Sequence, residues 1–271
     1  MPELHVLRVF TAEDGSAGNP LGVFLVGADI PPEQRQASAA AIGFSETVFV
    51  DDPATGHVQI FTPAVELPFA GHPLVGTAWL LATHATPVSK LNPRAGTVPA
   101  RMCEDRAYVA GRPEWAPPFE WRELGCTADV EALEGPPDGH DLIGLYAWED
   151  QKTVRARVFP PRLGIVEDEA TGAAAVRLGA QLGRDVTIRQ GRGSIIEVHP
   201  RDDGMVEIGG GVVLDELRAY PPPGGLASPP NTSQVRRLRA TADPRPASRR
   251  RLLGRLDRGG GRDLHARARS A

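Results

Sequence analysis

The sequence predicts an α+β fold made of two similar halves, each a sheet curled around a long helix. Three observations predict it. Many short β-rich stretches are interrupted by only a few helical patterns. Two segments about 100 residues apart, Glu66-Leu-Pro-Phe-Ala-Gly-His-Pro73 and Glu167-Asp-Glu-Ala-Thr-Gly172, share one plan. Each follows a Phe-x-Pro (Phe61 to Pro63, Phe159 to Pro161), ends in a glycine-containing turn and launches an alanine-rich, leucine-spaced run. Finally, 271 residues suffice for one large or two modest cores.

In chain order, residues 5–10 read as a strand and 17–20 as a turn, because Gly and Asn accept turn geometries and Pro fixes the entry to the next strand. Residues 21–26 form that second strand. Pro31 and Pro32 open a helix running to Ile42, since proline in a first turn has no hydrogen bond to lose. Strands at 46–51 and 57–62, joined through Pro53-Ala-Thr-Gly56, lead into the first repeated segment and its helix at 74–82. The chain then turns loop-rich up to Pro118, which places the boundary between halves at 1–117 and 118–220. The second half holds a short helix near 128–133, strands at 142–147 and 154–159, and the second repeated segment with its helix at 173–182. Strands at 186–189, 194–199 and 205–214 come next. The last contains Gly209-Gly-Gly211, which marks a bulge or a close backbone approach.

Composition excludes several classes. Hydrophobic residues are 41% and charged residues 24%, ordinary globular usage. No apolar run approaches the roughly 20 residues of a membrane helix, and the N-terminus lacks the charged-then-apolar plan of a signal peptide, so the expected compartment is cytoplasmic. Cys103 and Cys126 are too few for a thiolate metal site and are expected to be unpaired. The net charge of −4 conceals a break: residues 221–271 hold 12 Arg and 3 Asp, so the preceding 220 residues carry −13. That Arg/Pro/Gly-rich tail lacks any sustained apolar period and is expected to be disordered. Nucleic-acid binding through its arginines is the lesser reading, and deleting residues 225–271 is expected to leave folding and activity intact.

Three residues stand out together. Glu46, alone, is an exposed or capping acid at the start of a strand. His72 lies between Gly71 and Pro73 at the mouth of a helix, an unusual place for a structural imidazole. Asp168 lies among three acids, and a loop acid there equally caps the next helix. If the two halves face each other, two carboxyl groups and an imidazole meet beside two helix N-termini, whose positive dipole ends suit an anionic substrate. A carboxyl group walled by apolar side chains has its pKa raised toward neutrality and can take a proton from one carbon and return it to another. An isomerase fits that chemistry. Gly191-Arg-Gly193 lacks the glycines and setting of a dinucleotide loop, and His57, His84, His140, His199 and His265 show no metal-ligand spacing. Neither metal nor nucleotide is expected.

Gly18-Asn-Pro20, Phe44-Ser-Glu-Thr47, Ile60-Phe-Thr-Pro63, the two repeated segments, Arg157-Val-Phe159 and Val206-Glu-Ile-Gly-Gly210 together resemble, in order over about residues 5–215, the PhzF family of phenazine-biosynthesis-like isomerases. The resemblance implies two pseudo-symmetric diaminopimelate-epimerase-like domains, each a curled, mostly antiparallel sheet around a central helix. It implies an active site in the cleft between them, commonly in a homodimer, and no cofactor. The named member isomerises trans-2,3-dihydro-3-hydroxyanthranilate. By the same resemblance Glu46 is the general acid/base, and His72 and Asp168 hold or protonate the substrate. Ser45, Gly71, Gly172 and Ala173 line the substrate site, with backbone N–H groups at Gly71 and Gly172 receiving its carboxylate. Epimerases of this fold place cysteines at the two helix mouths, and this chain has none there.

Two departures bear on function. The family's second segment usually reads Asp-Pro-Ala-Thr-Gly-Ser, whereas here it is Asp168-Glu-Ala-Thr-Gly-Ala173. Residues 90–154 also match poorly. Three readings result: a cofactor-independent isomerase of a small carboxylate-bearing metabolite, a binding protein of the same fold that has lost turnover, and a nucleic-acid binder acting through the tail.

Overall fold

The computed structural model of the chain describes residues 1–221; the expected disordered tail lies, from residue 222 on, outside the described residues. The first half contains β1 (Glu3–Thr11), β2 (Asn19–Phe24), α1 (Pro32–Ile42), β3 (Glu46–Asp52), β4 (His57–Phe61), β5 (Glu66–Leu67), α2 (Gly71–His84), β6 (Lys90–Leu91), β7 (Val98–Cys103) and β8 (Arg106–Gly111). The second contains β9 (Glu120–Glu123), α3 (Thr127–Glu131), β10 (Ile143–Trp148), β11 (Thr153–Phe159), α4 (Gly172–Leu182), β12 (Val186–Gln190), β13 (Ser194–Pro200) and β14 (Val206–Ala219).

One plan occurs twice. Strands β2 and β3 are parallel neighbours linked through α1, β3 and β4 pair antiparallel, and α2 follows. Likewise β9 and β10 are parallel neighbours linked through α3, β10 and β11 pair antiparallel, and α4 follows. After each central helix comes an antiparallel run, β6–β7–β8 and β12–β13–β14. This is the expected α+β architecture of two pseudo-symmetric halves.

Buried aromatic side chains fix the start of each repeated segment. Phe61 closes β4 at 7% exposure and Phe159 closes β11 at 0%, each burial stabilising by about 1.5–3 kcal/mol. Helix α2 is apolar on nearly every face because sheet surrounds it. Gly76 lets α2 lie directly on β1 and β2, for a Cβ there would meet Leu21 Cδ2 at 2.6 Å and Val9 Cγ2 at 2.8 Å. Helix α4 buries Ala174, Ala175, Val176 and Leu178 in the same way.

Strand β14 joins the halves. Its residues Val206 to Gly210 pair with β8, and residues from Gly211 to Ala219 pair with β1. The change of partner falls on Gly209, Gly210 and Gly211, where Tyr108, Phe10 and Thr11 fill the space a Cβ needs. Phe10 itself adopts a φ of 66° at a break in the β1–β14 register. The close approach expected at this glycine run is therefore present.

Two stretches differ from expectation. Residues 85–118 are not mainly loop, because β6, β7 and β8 lie there; the β7–β8 hairpin turns on Glu104-Asp105, with Glu104 at φ 56° and Asp105 the one residue of a type common in turns. Strand β14 runs on past Leu214 to Ala219, where its side chains are exposed and the ladder to β1 alone specifies the strand.

Candidate active site

The two central helices meet end to end. A Cβ on Gly71 would lie 2.7 Å from Gly172 Cα, and one on Gly172 would lie 2.8 Å from Gly71 Cα. Only glycine permits this approach. Neither Ala70 nor Thr171 caps its helix with a side chain, so the partial positive charge of both N-termini is concentrated at one point between the halves.

Around that point the folded chain gathers the three candidate residues. Glu46 is the first residue of β3, fixed by the parallel register Leu21↔Glu46. His72 is the second residue of α2 and 3% exposed. Its Nε2 stands 3.3 Å from Glu46 Oε2, and both atoms are buried without a hydrogen-bond partner. Buried polar atoms are normally paired, so this couple at a cleft is a candidate site for chemistry. Asp168 is held from β11 by its own N–H donating to Val158 O at 3.0 Å. Its carboxyl group accepts from Asn19 Nδ2 at 2.8 Å and from Thr171 Oγ1 at 2.6 Å. Ser45 Oγ approaches Asn19 Oδ1 at 3.4 Å.

Burial governs the electrostatics. It pushes Glu46 up to about 7, opposed by a hydrogen bond from Ser45. It pushes His72 down to about 4, opposed by the Asp168 carboxylate and the Pro20 carbonyl. Asp168 rises to about 6 through burial and then repulsion from Glu46, opposed by His72, Thr171 and Asn19. Near pH 7 the imidazole is neutral, Asp168 is mostly ionised and Glu46 is poised between acid and base.

A cleft of about 570 Å³ opens over Glu46, Ser45, Asp168 and Asn19, walled by apolar Phe44, Pro63, Ala64 and Ile165. His72, Gly71 and Gly172 lie buried behind that surface. Ala173 packs against the apolar cluster of Phe119, Leu142, Val158 and Ala174 and does not line the cleft. Sequence reasoning assigned no role to Gln190, which is 1% exposed. Its Nε2 donates to Asp168 O at 2.8 Å and Thr171 Oγ1 at 3.0 Å, and its Oε1 accepts from Thr171 N at 3.2 Å. The available signal was a polar side chain at an inward position of an alternating strand. Asn19 was legible as a turn residue and within the Gly18-Asn-Pro20 string, without a role at the site. Among the described residues, no group of three or more His, Cys, Asp or Glu is placed to hold a metal ion, and no helix is long and apolar enough to cross a membrane.

Two sheets of repeated plan, with central helices that abut at their N-termini beside a buried carboxyl–imidazole pair, define an epimerase-like fold with two carboxyl groups and an imidazole gathered between its halves. The family model of phenazine biosynthesis-like proteins, PhzC-PhzF, matches residues 7–143. The chain belongs to that family, a family of isomerases. The trans-2,3-dihydro-3-hydroxyanthranilate isomerase of Pseudomonas fluorescens is 32% identical over 65% of this chain and 78% of its own length. The isomerase of the same name from Pseudomonas aeruginosa is 30% identical over 79% and 98%. Among solved structures, a PhzF family protein from Enterococcus faecalis superposes with a TM-score of 0.68 at 22% identity, over 81% of this chain and 99% of that one. A probable proline racemase from Agrobacterium radiobacter K84 has the same fold, with a TM-score of 0.56 at 12% identity over 82% and 93%.

Proposed function

We propose that this protein is an isomerase that moves a proton between two carbons of a small carboxylate-bearing metabolite, using its own side chains as general acid and base. The observation that carries this reading is the Glu46–His72 pair, two buried and otherwise unpartnered atoms 3.3 Å apart at the cleft. Glu46, its pKa near 7, takes the proton from the substrate carbon as a carboxylate and returns it as a carboxylic acid. Neutral His72 orients the Glu46 carboxyl group, and Asp168, fixed by Asn19 and Thr171, holds the substrate as a carboxylate and protonates it only in its carboxylic acid form. The joined N-termini of α2 and α4 favour the negative charge that develops on the substrate when its proton leaves. Ser45 lines the same binding surface, and the helix N-termini at Gly71 and Gly172, buried behind it, act on the substrate through their positive ends.

The relatives' name supplies the first substrate to test, trans-2,3-dihydro-3-hydroxyanthranilate. NMR of that compound in D2O with the purified protein is expected to show conversion with deuterium entering the ring, lost in Glu46→Gln. Conversion that survives in Glu46→Gln overturns the role of Glu46. A second reading, a binding protein of the same fold without turnover, is favoured by Ala173, which brings no hydroxyl to the site and packs into an apolar cluster. Saturation binding with no solvent deuterium in any tested carboxylate would select it. The cytoplasmic location and the homodimer implied by the family resemblance are parts of the same proposal, and sedimentation equilibrium checks the latter.

A further inference from the structure

Beyond the three proton-transfer candidates, the second repeated segment carries an acid where the family's usual pattern has proline. Glu169 is anchored rather than solvated, its side chain 14% exposed. Its Oε1 accepts from Arg192 N at 2.9 Å and from Ser194 Oγ at 3.0 Å. Ser194 is fully buried, and its Oγ in turn accepts from Gly18 N at 3.0 Å. Gly18 admits no side chain: its φ is 91°, and a Cβ would meet Thr11, Arg8 and Val9 at 3.0–3.1 Å. The other side of the same turn is clamped by Arg8 Nη1, which donates to Ala17 O at 2.6 Å and Gly15 O at 2.8 Å. The next residue is Asn19, whose Nδ2 donates to Asp168 Oδ1 at 2.8 Å and to Ala170 O at 2.9 Å.

We propose that Glu169 is a positioning residue: through Ser194 it fixes the turn that carries Asn19 and thereby aims Asn19 at the Asp168 carboxyl group. The proposal deepens the isomerase reading, on which its relevance to catalysis rests. The Arg192 side chain is 86% exposed, so its 3.2 Å contact with Glu169 adds little; the buried serine carries the connection. Two ionisable side chains face Asp168, Glu46 and His72 from the first half. Its chain neighbours turn elsewhere: Glu169 to Ser194 and Arg192, and Glu167 to Arg157 at 2.8 and 2.6 Å.

The test is a carbon-detected NMR titration of the Asp168 carboxyl group in the full chain, assigned with Asp168→Asn, for the parent, Ser194→Ala, Glu169→Asp and the double variant. Glu169→Asp keeps the charge and withdraws the carboxylate from Ser194. Because the Asn19 hydrogen bond favours the ionised form, each single change is expected to raise the Asp168 midpoint by about 0.5 unit or more. The double variant is expected to shift it no further than the larger single change. A lowered melting temperature with an unmoved midpoint, or additive shifts, overturns the proposal. Should Ser194→Ala fail to fold, Glu169→Asp alone decides by the same midpoint. The titration needs no turnover, so a protein inactive on every substrate sinks the isomerase reading and leaves this test standing.

Discussion

Glu46 and Asp168 place one demand on stability and His72 the opposite one. A carboxyl group whose pKa folding raises holds its proton more tightly in the folded chain. For Glu46, raised from 4.5 to about 7, and Asp168, raised from 3.8 to about 6, the stabilisation is complete at low pH and lost as pH climbs through the folded values. His72, lowered from 6.5 to about 4, does the reverse: its contribution is present above 6.5 and lost as pH falls toward 4. Glu46→Gln is therefore expected to raise stability at pH 8 by on the order of 1–3 kcal/mol, read by thermal melting. The same change is expected to cut turnover by about 100- to 10,000-fold, read by deuterium exchange. A variant that is both more stable and less active identifies the site as a place where stability is given up for chemistry. The parent's turnover should rise with pH through about 7 as Glu46 becomes the base. The residue types were legible because Gly71-His72-Pro73 is an odd setting for an imidazole. Their convergence was expected from the repeated plan, but the direct 3.3 Å contact of His72 with Glu46 was not, for it depends on β3 and α2 meeting across 26 residues of chain.

Glycine decides the contact between elements. Helices α2 and α4 touch at Gly71 and Gly172 at distances no side chain tolerates. Gly172→Ala is expected to destabilise by about 1–3 kcal/mol through overpacking and to lower turnover by separating the helix ends. Gly135→Ala, with nothing within 4 Å of the added carbon, is expected to change stability by less than about 0.5 kcal/mol. Comparing their urea midpoints checks both. The helices and most strands could be read from the chain because proline openings, apolar alternation and turn residues act locally. Strands β6, β7 and β8 could not, since Pro99, Arg101 and Arg106 interrupt any apolar pattern and β8, which carries the other two through β7, is itself paired with the distant β14.

At the scale of the molecule, β14 holds the two sheets in one unit. A chain ending at Gly210 keeps the pairing with β8 and loses the whole ladder to β1, with the Phe24–Tyr220 contact at 5.2 Å. It is expected to expose β1 as an open edge and to precipitate or melt without cooperativity. A chain ending at Pro221 keeps every strand described and is expected to melt cooperatively, as calorimetry of the two truncations will show. Because Asn19 follows β1 and Asp168 follows β11, strand pairing through β14 also sets the distance between the two sides of the cleft.

By itself the sequence determined the repeated plan, the α+β class, the two helix starts and the kinds of side chain at the site. These arise from local chemistry: glycine at helix mouths, Phe-x-Pro at strand ends, apolar period along the chain. Only the tertiary structure decided which groups meet. It placed an unpaired imidazole nitrogen against an unpaired carboxyl oxygen, drew Asn19 onto Asp168, buried Gln190 beneath the turn and tied Glu169 to Gly18 through Ser194. Each of those contacts joins residues far apart in the chain, and each pKa that matters is set by the burial that only their meeting creates.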